Sequence, residues 1–318
     1  MKILTPASPP CPPGSSVVTI GVYDGVHLGH QATLARVVSE AHEAGRSAVV
    51  ATFDRHPSEV VSPERTPLLL CDLEERLDRL SAVGIDQVAV IPFDQETASE
   101  SAEEFIERLI VGRLGAARVI VGEDFRFGAK RRGDVSLLAA QGERFGFSVE
   151  GVHLDTSAGV PISSTRIRAA IAEGDVAQAR ALLGRVHEVS GEVVHGDGRG
   201  GPELGYPTAN VHVSASMAIP RVGIYAGWYR DEQLEAHPAA ISVGRRPTFY
   251  ENADPLIEAY LLDFEGDLYG RRARVSFFEH QRPEKRFDSL EALIAQMGLD
   301  VRRTAELLDP AMAPPAHL

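Results

Sequence analysis

Residues 17–34, VVTIGVYDGVHLGHQATL, decide how the rest of the chain is read. A β-branched run (Val17, Val18, Ile20) ends at Gly21 and passes Asp24 and Gly25. It then yields to His27 and His30 at the start of a helical pattern bearing Leu34, Val37, Val38 and Ala41. The order is strand, tight turn, helix N-terminus. Such an N-terminus points unpaired N–H groups and partial positive charge at whatever lies before it, so an anion is its natural guest. Imidazoles three residues apart share one helix face and reach the same guest. Gly29 between them removes a side chain where a phosphate would come close. With Gly21 and Asp24 in the turn, the stretch reads as a nucleotide-phosphate site. Taken bare, His-x-Gly-His would also suit a metal-site fragment or two solvated histidines.

Working outward, the first half alternates strand-like segments (17–20, 47–53, 86–92, 118–122 and 147–154) with helical ones, after a Pro-rich start (1–16) expected to be loose. Asp72 with Glu75 and Ser101 with Glu104 resemble capping boxes at helix starts. This alternation implies a Rossmann-like parallel sheet, with ligands bound beyond the carboxyl ends of its strands. Each further polar string sits at such an end. In TFDRHP, Pro57 holds His56 out of helix and Asp54 is placed to meet a polar ligand, although a solvated loop fits as well. In VGEDFRFG, Phe125 and Phe127 follow Asp124 and flank Arg126, a set that can stack on a ring system or serve as core. In ISSTRIR, Ser163, Ser164 and Thr165 bring hydroxyls to a helix start, with Arg166 and Arg168 adding fixed positive charge for phosphates. As a bare cap this string would be ordinary. The His-x-Gly-His pattern in this context resembles the signature of the adenylyltransferase superfamily.

With 318 residues and 44% hydrophobic content, the chain has room for two domains with cores of their own. A net charge of −13 argues against a nucleic-acid groove, and small molecules are the expected partners, with a weak homo-oligomer left open. Cys11 and Cys71 are too few for a disulfide framework. The start of the chain lacks the apolar core of a signal peptide, and no apolar run reaches a membrane span. The expected setting is cytoplasmic.

Near residue 183 the alternation stops, and short strands follow at 188–194, 224–229, 239–243, 256–264 and 273–278. These predict a small antiparallel barrel closed by a terminal helix with the stripe Leu290, Leu293, Ile294, Met297 and Val301, started by a capping-box-like Asp288 and Glu291. The domains are therefore expected at 17–182 and 183–318. A glycine-rich loop containing Gly198 and Gly200 could wrap a phosphate chain, although its spacing is not that of a Walker loop. It leads into Pro-Thr-Ala-Asn, where Thr208 and Asn210 alternate onto one side of an extended segment as hard oxygen donors suited to Mg²⁺ beside nucleotide phosphates. Period two sets Glu258 with Leu256, Tyr260 and Leu262. It is expected to face a partly desolvated interior, which would raise its pKa toward the range of a general base. A strand-end charge in water is the alternative.

Together these strings resemble, over nearly the whole chain, the prokaryotic bifunctional riboflavin kinase/FMN adenylyltransferase family, the FAD synthetases. The matching strings are GVYDGVHLGHQ, TFDRHP, VGEDFRFG and ISSTRIR, then GEVVHGDGRGGPELGYPTAN, GIYAG, SVGRRPTF, EAYLLDF and RPEKRFDSLEALIAQM. The resemblance implies an N-terminal domain that makes FAD from FMN and ATP, and a C-terminal barrel that makes FMN from riboflavin. It implies that His27 and His30 bind and polarise ATP phosphates, completed by Ser163, Thr165 and Arg168. It further implies that Thr208 and Asn210 serve Mg²⁺–ATP and that Glu258 takes the proton from the ribityl 5′-hydroxyl. The family commonly has Asn-Phe where this chain has Val22-Tyr23, Pro where it has Arg55, and a GRGR-type string where Gly200-Gly201 stand. Two rivals are a different small-molecule adenylyltransferase with an unrelated second domain, and a non-catalytic flavin-binding regulator. Both reactions transfer phosphorus groups between substrates, so positioning and electrostatics suffice without an enzyme nucleophile.

Overall fold

The computed structural model describes the chain except residues 6, 154–155, 158, 196–207, 234, 246–254 and 315–318, so the calls on Gly198 and Gly200 lie outside the described residues. Two compact units emerge, Met1–Pro67 with Asp72–Ser163, and Leu68–Cys71 with Ser164–His317.

The first unit is a six-stranded parallel sheet in the order β1-β4-β3-β2-β5-β6. Its strands are β1 (Lys2–Leu4), β2 (Ser16–Ile20), β3 (Ser47–Phe53), β4 (Gln87–Ile91), β5 (Ala116–Gly122) and β6 (Ser148–Val152). Its helices are α1 (Leu28–Glu43), α2 (Ser58–Val61), α3 (Leu73–Ala82), α4 (Gln95–Ser99), α5 (Ala102–Phe105) and α6 (Val135–Phe145). The strands are apolar on both sides because both faces are covered. On one, Val17, Ala48 and Val50 meet Leu34, Val37 and Ala41 of α1; on the other, Val18, Val49 and Ala51 meet Phe105, Leu109 and Ile110. The cap at Asp72 forms, accepting from the Glu75 N–H at 2.8 Å, and Ser101 with Glu104 closes a reciprocal capping box. After α5 the winding loosens to a π-helix over Ile106–Arg113.

The Pro-rich start is more ordered than its composition suggests. Lys2–Leu4 pairs in parallel with β4, and Leu4 is buried at that edge. The Cys11 N–H donates to the Arg113 carbonyl at 3.0 Å. Three apolar-edged residues finding an unpaired strand outweigh the prolines that follow them.

The second unit is a closed antiparallel barrel in the order β10-β13-β12-β11-β14-β9, preceded in the chain by the two-residue strands β7 (Thr156–Ser157) and β8 (Val160–Pro161) of the first unit. The barrel strands are β9 (His187–Val194), β10 (Ala209–Val213), β11 (Gly223–Arg230), β12 (His237–Arg245), β13 (Pro255–Leu261) and β14 (Arg272–Arg282). Val189, Val211, Tyr225, Ile241, Ile257, Val275 and Phe277 fill its core. Closure leaves the sheet no free edge. The helices α7 (Ser164–Ala172) and α8 (Val176–Leu183) belong to this unit: α8 packs on β9 and β14, and Val176 joins the barrel core. So does the strap Leu68–Cys71, whose Leu69 N–H donates to Ser216 O at 2.7 Å and whose Leu69 carbonyl accepts from the Ala218 N–H at 2.8 Å. By packing, then, the units divide at Ser163/Ser164, ahead of the change in sequence pattern near residue 183. The terminal helix α9 (Leu290–Leu307) lies over β11, β12 and β14. Its N-cap is Ser289 rather than Asp288, accepting from the Ala292 N–H at 3.2 Å, and Leu290 is 53% exposed, off the packed stripe.

Candidate functional site

The first candidate site grows from the β2–α1 turn. His27 is the N-cap of α1 in an extended conformation (φ −69°, ψ 171°), 4% exposed, and its Nδ1 accepts from the His30 N–H at 3.3 Å. That bond puts the proton of neutral His27 on Nε2. The two imidazoles stack with centroids 3.6 Å apart and planes 15° off parallel, and the edge of Tyr23 meets His30 at 5.1 Å. Burial first, and the neighbouring His27 second, hold the His30 imidazole well below its ordinary pKa, so it is neutral at pH 7. Its Nδ1 is buried without a hydrogen-bond partner. A neutral His30 stacked on His27 at a helix N-terminus offers N–H donors and dipole to an anion.

The backbone of the turn is forced. Tyr23 (φ 52°) and Val26 (φ 38°) occupy the left-handed region, which is costly for a β-branched residue. The Tyr23 hydroxyl is held 2.5 Å from Thr19 Oγ1, and the Val26 carbonyl accepts from Gln31 Nε2 at 2.8 Å. A Cβ on Gly21 would stand 3.0 Å from the Tyr23 ring, so packing accounts for that glycine. At Gly29 a Cβ would meet the His27 ring at 3.4 Å and the Ile162 carbonyl at 3.5 Å, ordinary contacts, so no protein neighbour demands glycine there. The approach of Ile162 also brings Ser163 next to this turn in the chain. Asp24 is buried in it.

The remaining first-half residues separate. Asp54 Oδ1 accepts from the Phe93 N–H at 2.9 Å and its Oδ2 faces Arg55 at 3.3 Å, so one carboxylate oxygen ties down the β4 exit. His56 Nδ1 accepts from the Ser58 N–H at 3.2 Å. Asp124 is exposed. Phe127 belongs to the core, stacked on Phe125 at 5.2 Å and tilted against Phe105 at 5.6 Å; Phe125 keeps partial exposure. Ser164, Thr165, Arg166 and Arg168 lie on the first turns of α7 in the second unit, where Arg168 Nε donates to the Leu68 carbonyl at 2.6 Å.

The second candidate site is set by barrel register. Asn210 of β10 stands opposite Glu258 of β13, and Glu258 stands opposite Ser242 of β12. Their neighbours Ala209, Val211, Ile257 and Ala259 point into the barrel core, so the even-numbered residues face outward. This corrects the expected orientation of Glu258, which faces away from the barrel interior into a cleft of about 410 Å³ beneath α9. The sheet side of the cleft carries Thr208, Ser242, Glu258 and Tyr260; the helix side carries Leu293, Met297 and Val301; Arg282, Glu284, Lys285 and Phe287 form its rim. Arg282 is locked by a two-point ion pair with Asp300 of α9, 2.8 and 2.5 Å, and Gln296 Nε2 donates to Asp300 at 2.9 Å. A mainly apolar slot of this size with polar groups on its sheet wall suits a planar heterocycle bearing a polyol. The oxygens of Thr208 and Asn210 share the Glu258 face and are hard donors that fit Mg²⁺. Among the described residues there is no cluster of three or more His, Cys, Asp or Glu that could hold a metal ion.

Ser242, Phe287 and Lys285 escaped the reading of individual residues. Ser242 opens the SVGRRPTF string, which is informative only as family resemblance, and only register sets it beside Glu258. Phe287 and Lys285 lie in the RPEKRFDS string, which is informative only as family resemblance.

Residues 11–166 match the FAD synthetase family and residues 183–308 the riboflavin kinase family. A bifunctional riboflavin kinase/FMN adenylyltransferase of Pseudomonas fluorescens is 39% identical, over 93% of this chain and 94% of its own. The enzyme of the same name from Escherichia coli (strain K12) is 38% identical over 91% of each chain. A crystal structure named as a macrolide-efflux protein from Streptococcus pneumoniae superposes with a TM-score of 0.83 at 31% identity, covering 93% of this chain and 95% of that one. Among the described residues here, no helix is long and apolar enough to cross a membrane.

Proposed function

As a member of the bifunctional riboflavin kinase/FMN adenylyltransferase family, this chain phosphorylates riboflavin to FMN and adenylylates FMN to FAD, and we propose that the cleft under α9 performs the first reaction and the His27–His30 turn the second. The observation that carries this division is the Asn210–Glu258–Ser242 register, a carboxylate flanked by neutral oxygens over a slot with one apolar wall.

In the cleft, the flavin ring lies against Leu293, Met297 and Phe287, and the ribityl chain runs toward Glu258. Glu258 accepts the proton of the terminal hydroxyl as its oxygen bonds to the γ-phosphorus of ATP and ADP leaves. Thr208 and Asn210 orient the phosphates and would hold Mg²⁺, which when bound would offset their negative charge.

At the turn, a phosphate oxygen of FMN bonds to the α-phosphorus of ATP and the bond to the bridging oxygen of pyrophosphate breaks. Charge gathers on that leaving group. The N-terminus of α1 and N–H donors of His27 and His30 stabilise it. Ser163, in the same unit, contributes a further hydrogen bond. The site is cytoplasmic in this reading, where ATP and reduced thiols coexist.

The test is incubation of the full chain with riboflavin, ATP and Mg²⁺, followed by chromatography for FMN and FAD, with Glu258→Gln and His30→Ala in parallel. Each variant is expected to lose one product-forming step and keep the other. Loss of both steps in either variant would refute the division of labour.

A further inference from the structure

Arg76 lies in α3, is 1% exposed, and donates through Nη1 to Thr52 Oγ1 at 3.2 Å and to the Phe53 carbonyl at 2.8 Å. Its Nε is buried with no partner. On the same helix, Arg79 pairs with Glu75 at 2.7 Å. One buried guanidinium of α3 thus has a carboxylate, whereas the other meets only neutral oxygens among the described residues. A guanidinium stays protonated inside a protein. Burying its charge without a counter-charge costs stability that an apolar side chain of similar volume would not. Core packing therefore does not account for Arg76.

Its contacts do. Thr52 and Phe53 are the last residues of β3, beside the carboxyl end of β2. Having accepted from Arg76, the Thr52 hydroxyl gives its single proton to the Val22 carbonyl at 3.1 Å. Val22 opens the strained segment that runs through Tyr23 and Val26 to His27. A turn held in left-handed backbone relaxes unless its surroundings over-determine it. This one is pinned at Val22 by Thr52, at Tyr23 by Thr19 and at Val26 by Gln31. We propose that Arg76 is a positioning residue for adenylyl transfer, tying the end of β3 to α3 and, through Thr52, fixing the turn that presents His27 and His30. The proposal rests on adenylyl transfer taking place at that turn.

The experiment measures kcat and KM for FAD formation from FMN and ATP in full-length Arg76→Met, Arg76→Lys, Thr52→Val, Thr52→Ser and the Arg76→Met/Thr52→Val double variant, with His30→Ala alongside. Riboflavin phosphorylation on the same preparations reports folding. Arg76→Met and Thr52→Val should each lower kcat by about tenfold or more with KM changed by less than about threefold, because misplacement acts on the transition state. Thr52→Ser should stay near the parental rate and Arg76→Lys should recover part of the loss. The double variant should be no worse than the poorer single one, since both changes break one chain of bonds. Losses that multiply, or a Thr52→Val kcat within twofold of parental while His30→Ala fails, would overturn the role of Arg76 and leave the site assignment standing. An unimpaired His30→Ala would bring down both. Should Arg76→Met not fold, the contrast of Thr52→Val with Thr52→Ser decides the matter.

Discussion

In the proposed division of labour, the His27–His30 turn and the cleft beneath α9 solve the same task, gripping a phosphate chain beside a flavin, by opposite means. The turn is built from sequence neighbours: Asp24, His27, Gly29 and His30 lie within residues 21–31, and the strained backbone there is pinned by hydrogen bonds to Thr19, Thr52 and Gln31. The cleft is built from residues far apart in the chain, Asn210, Ser242 and Glu258, aligned by unstrained antiparallel register and roofed by α9. Local construction needs bracing from below. Register construction is braced by the whole barrel, which has no edge to fray.

The sharpest break of this contrast is Glu258→Gln, which keeps size and hydrogen bonding yet removes the proton acceptor. Riboflavin phosphorylation should slow by roughly 10² to 10⁴-fold, while supplied FMN is still converted to FAD at close to the parental rate. Near-normal phosphorylation would reduce Glu258 to a charge in the cleft wall. Next in size, His30→Ala should cost on the order of 10²-fold in FAD formation by removing a donor to the leaving pyrophosphate. FMN formation should be nearly unchanged; a matching loss in both would mean that His30 holds structure rather than phosphate.

Truncation probes how far the barrel braces itself. A fragment beginning at Gly184 loses Val176, Leu182 and Leu183, each about 1% exposed or less. At about 1.5–3 kcal/mol per fully buried apolar side chain, that is on the order of 5 kcal/mol, comparable to a domain's whole stability. This fragment should be unfolded, whereas one beginning at Ser164 should fold, weakened by loss of the Leu68–Cys71 strap, and should phosphorylate riboflavin without making FAD. Urea unfolding of the two fragments checks this, and a stable, active fragment from Gly184 would show α7 and α8 to be dispensable.

The smallest effect expected is in pH. His30 has its folded pKa depressed by burial, so the unfolded chain binds its proton more readily. Its contribution to stability is complete above its ordinary value of 6.5 and is lost as pH falls toward the folded pKa, by at most about 1.4 kcal/mol per pH unit. Between pH 7 and 5.5 the parental Tm should therefore drop more than that of His30→Gln. Parallel curves would mean that the imidazole takes up its proton equally well in the folded chain.

Much of this was legible in the chain. Strands and helices of the first half announce themselves by β-branched runs, helical spacing and caps such as Asp72 and Ser101, all short-range signals. The His27–His30 turn is local too, so its grouping could be read directly. Phe127 and Asp54 were ambiguous because an aromatic or a carboxylate at a strand end serves core and ligand alike; one proved to be core, and the other caps the Phe93 N–H.

By itself the sequence determined the alternation of elements, the change to short strands, and the side of its own strand on which each residue falls, because backbone periods of 3.6 and 2 belong to the chain. Only the tertiary structure decided which side of the barrel is inside, and so whether Glu258 is core or cleft. It alone paired Asn210 and Ser242 with Glu258, sent Leu68–Cys71 and Ser164–Leu183 to the second unit, ordered Lys2–Leu4 on β4, and set Arg76 beneath the turn. The reason is physical. Register and packing partners follow from burial summed over residues distant in the chain, and no local period encodes which distant surface will provide it.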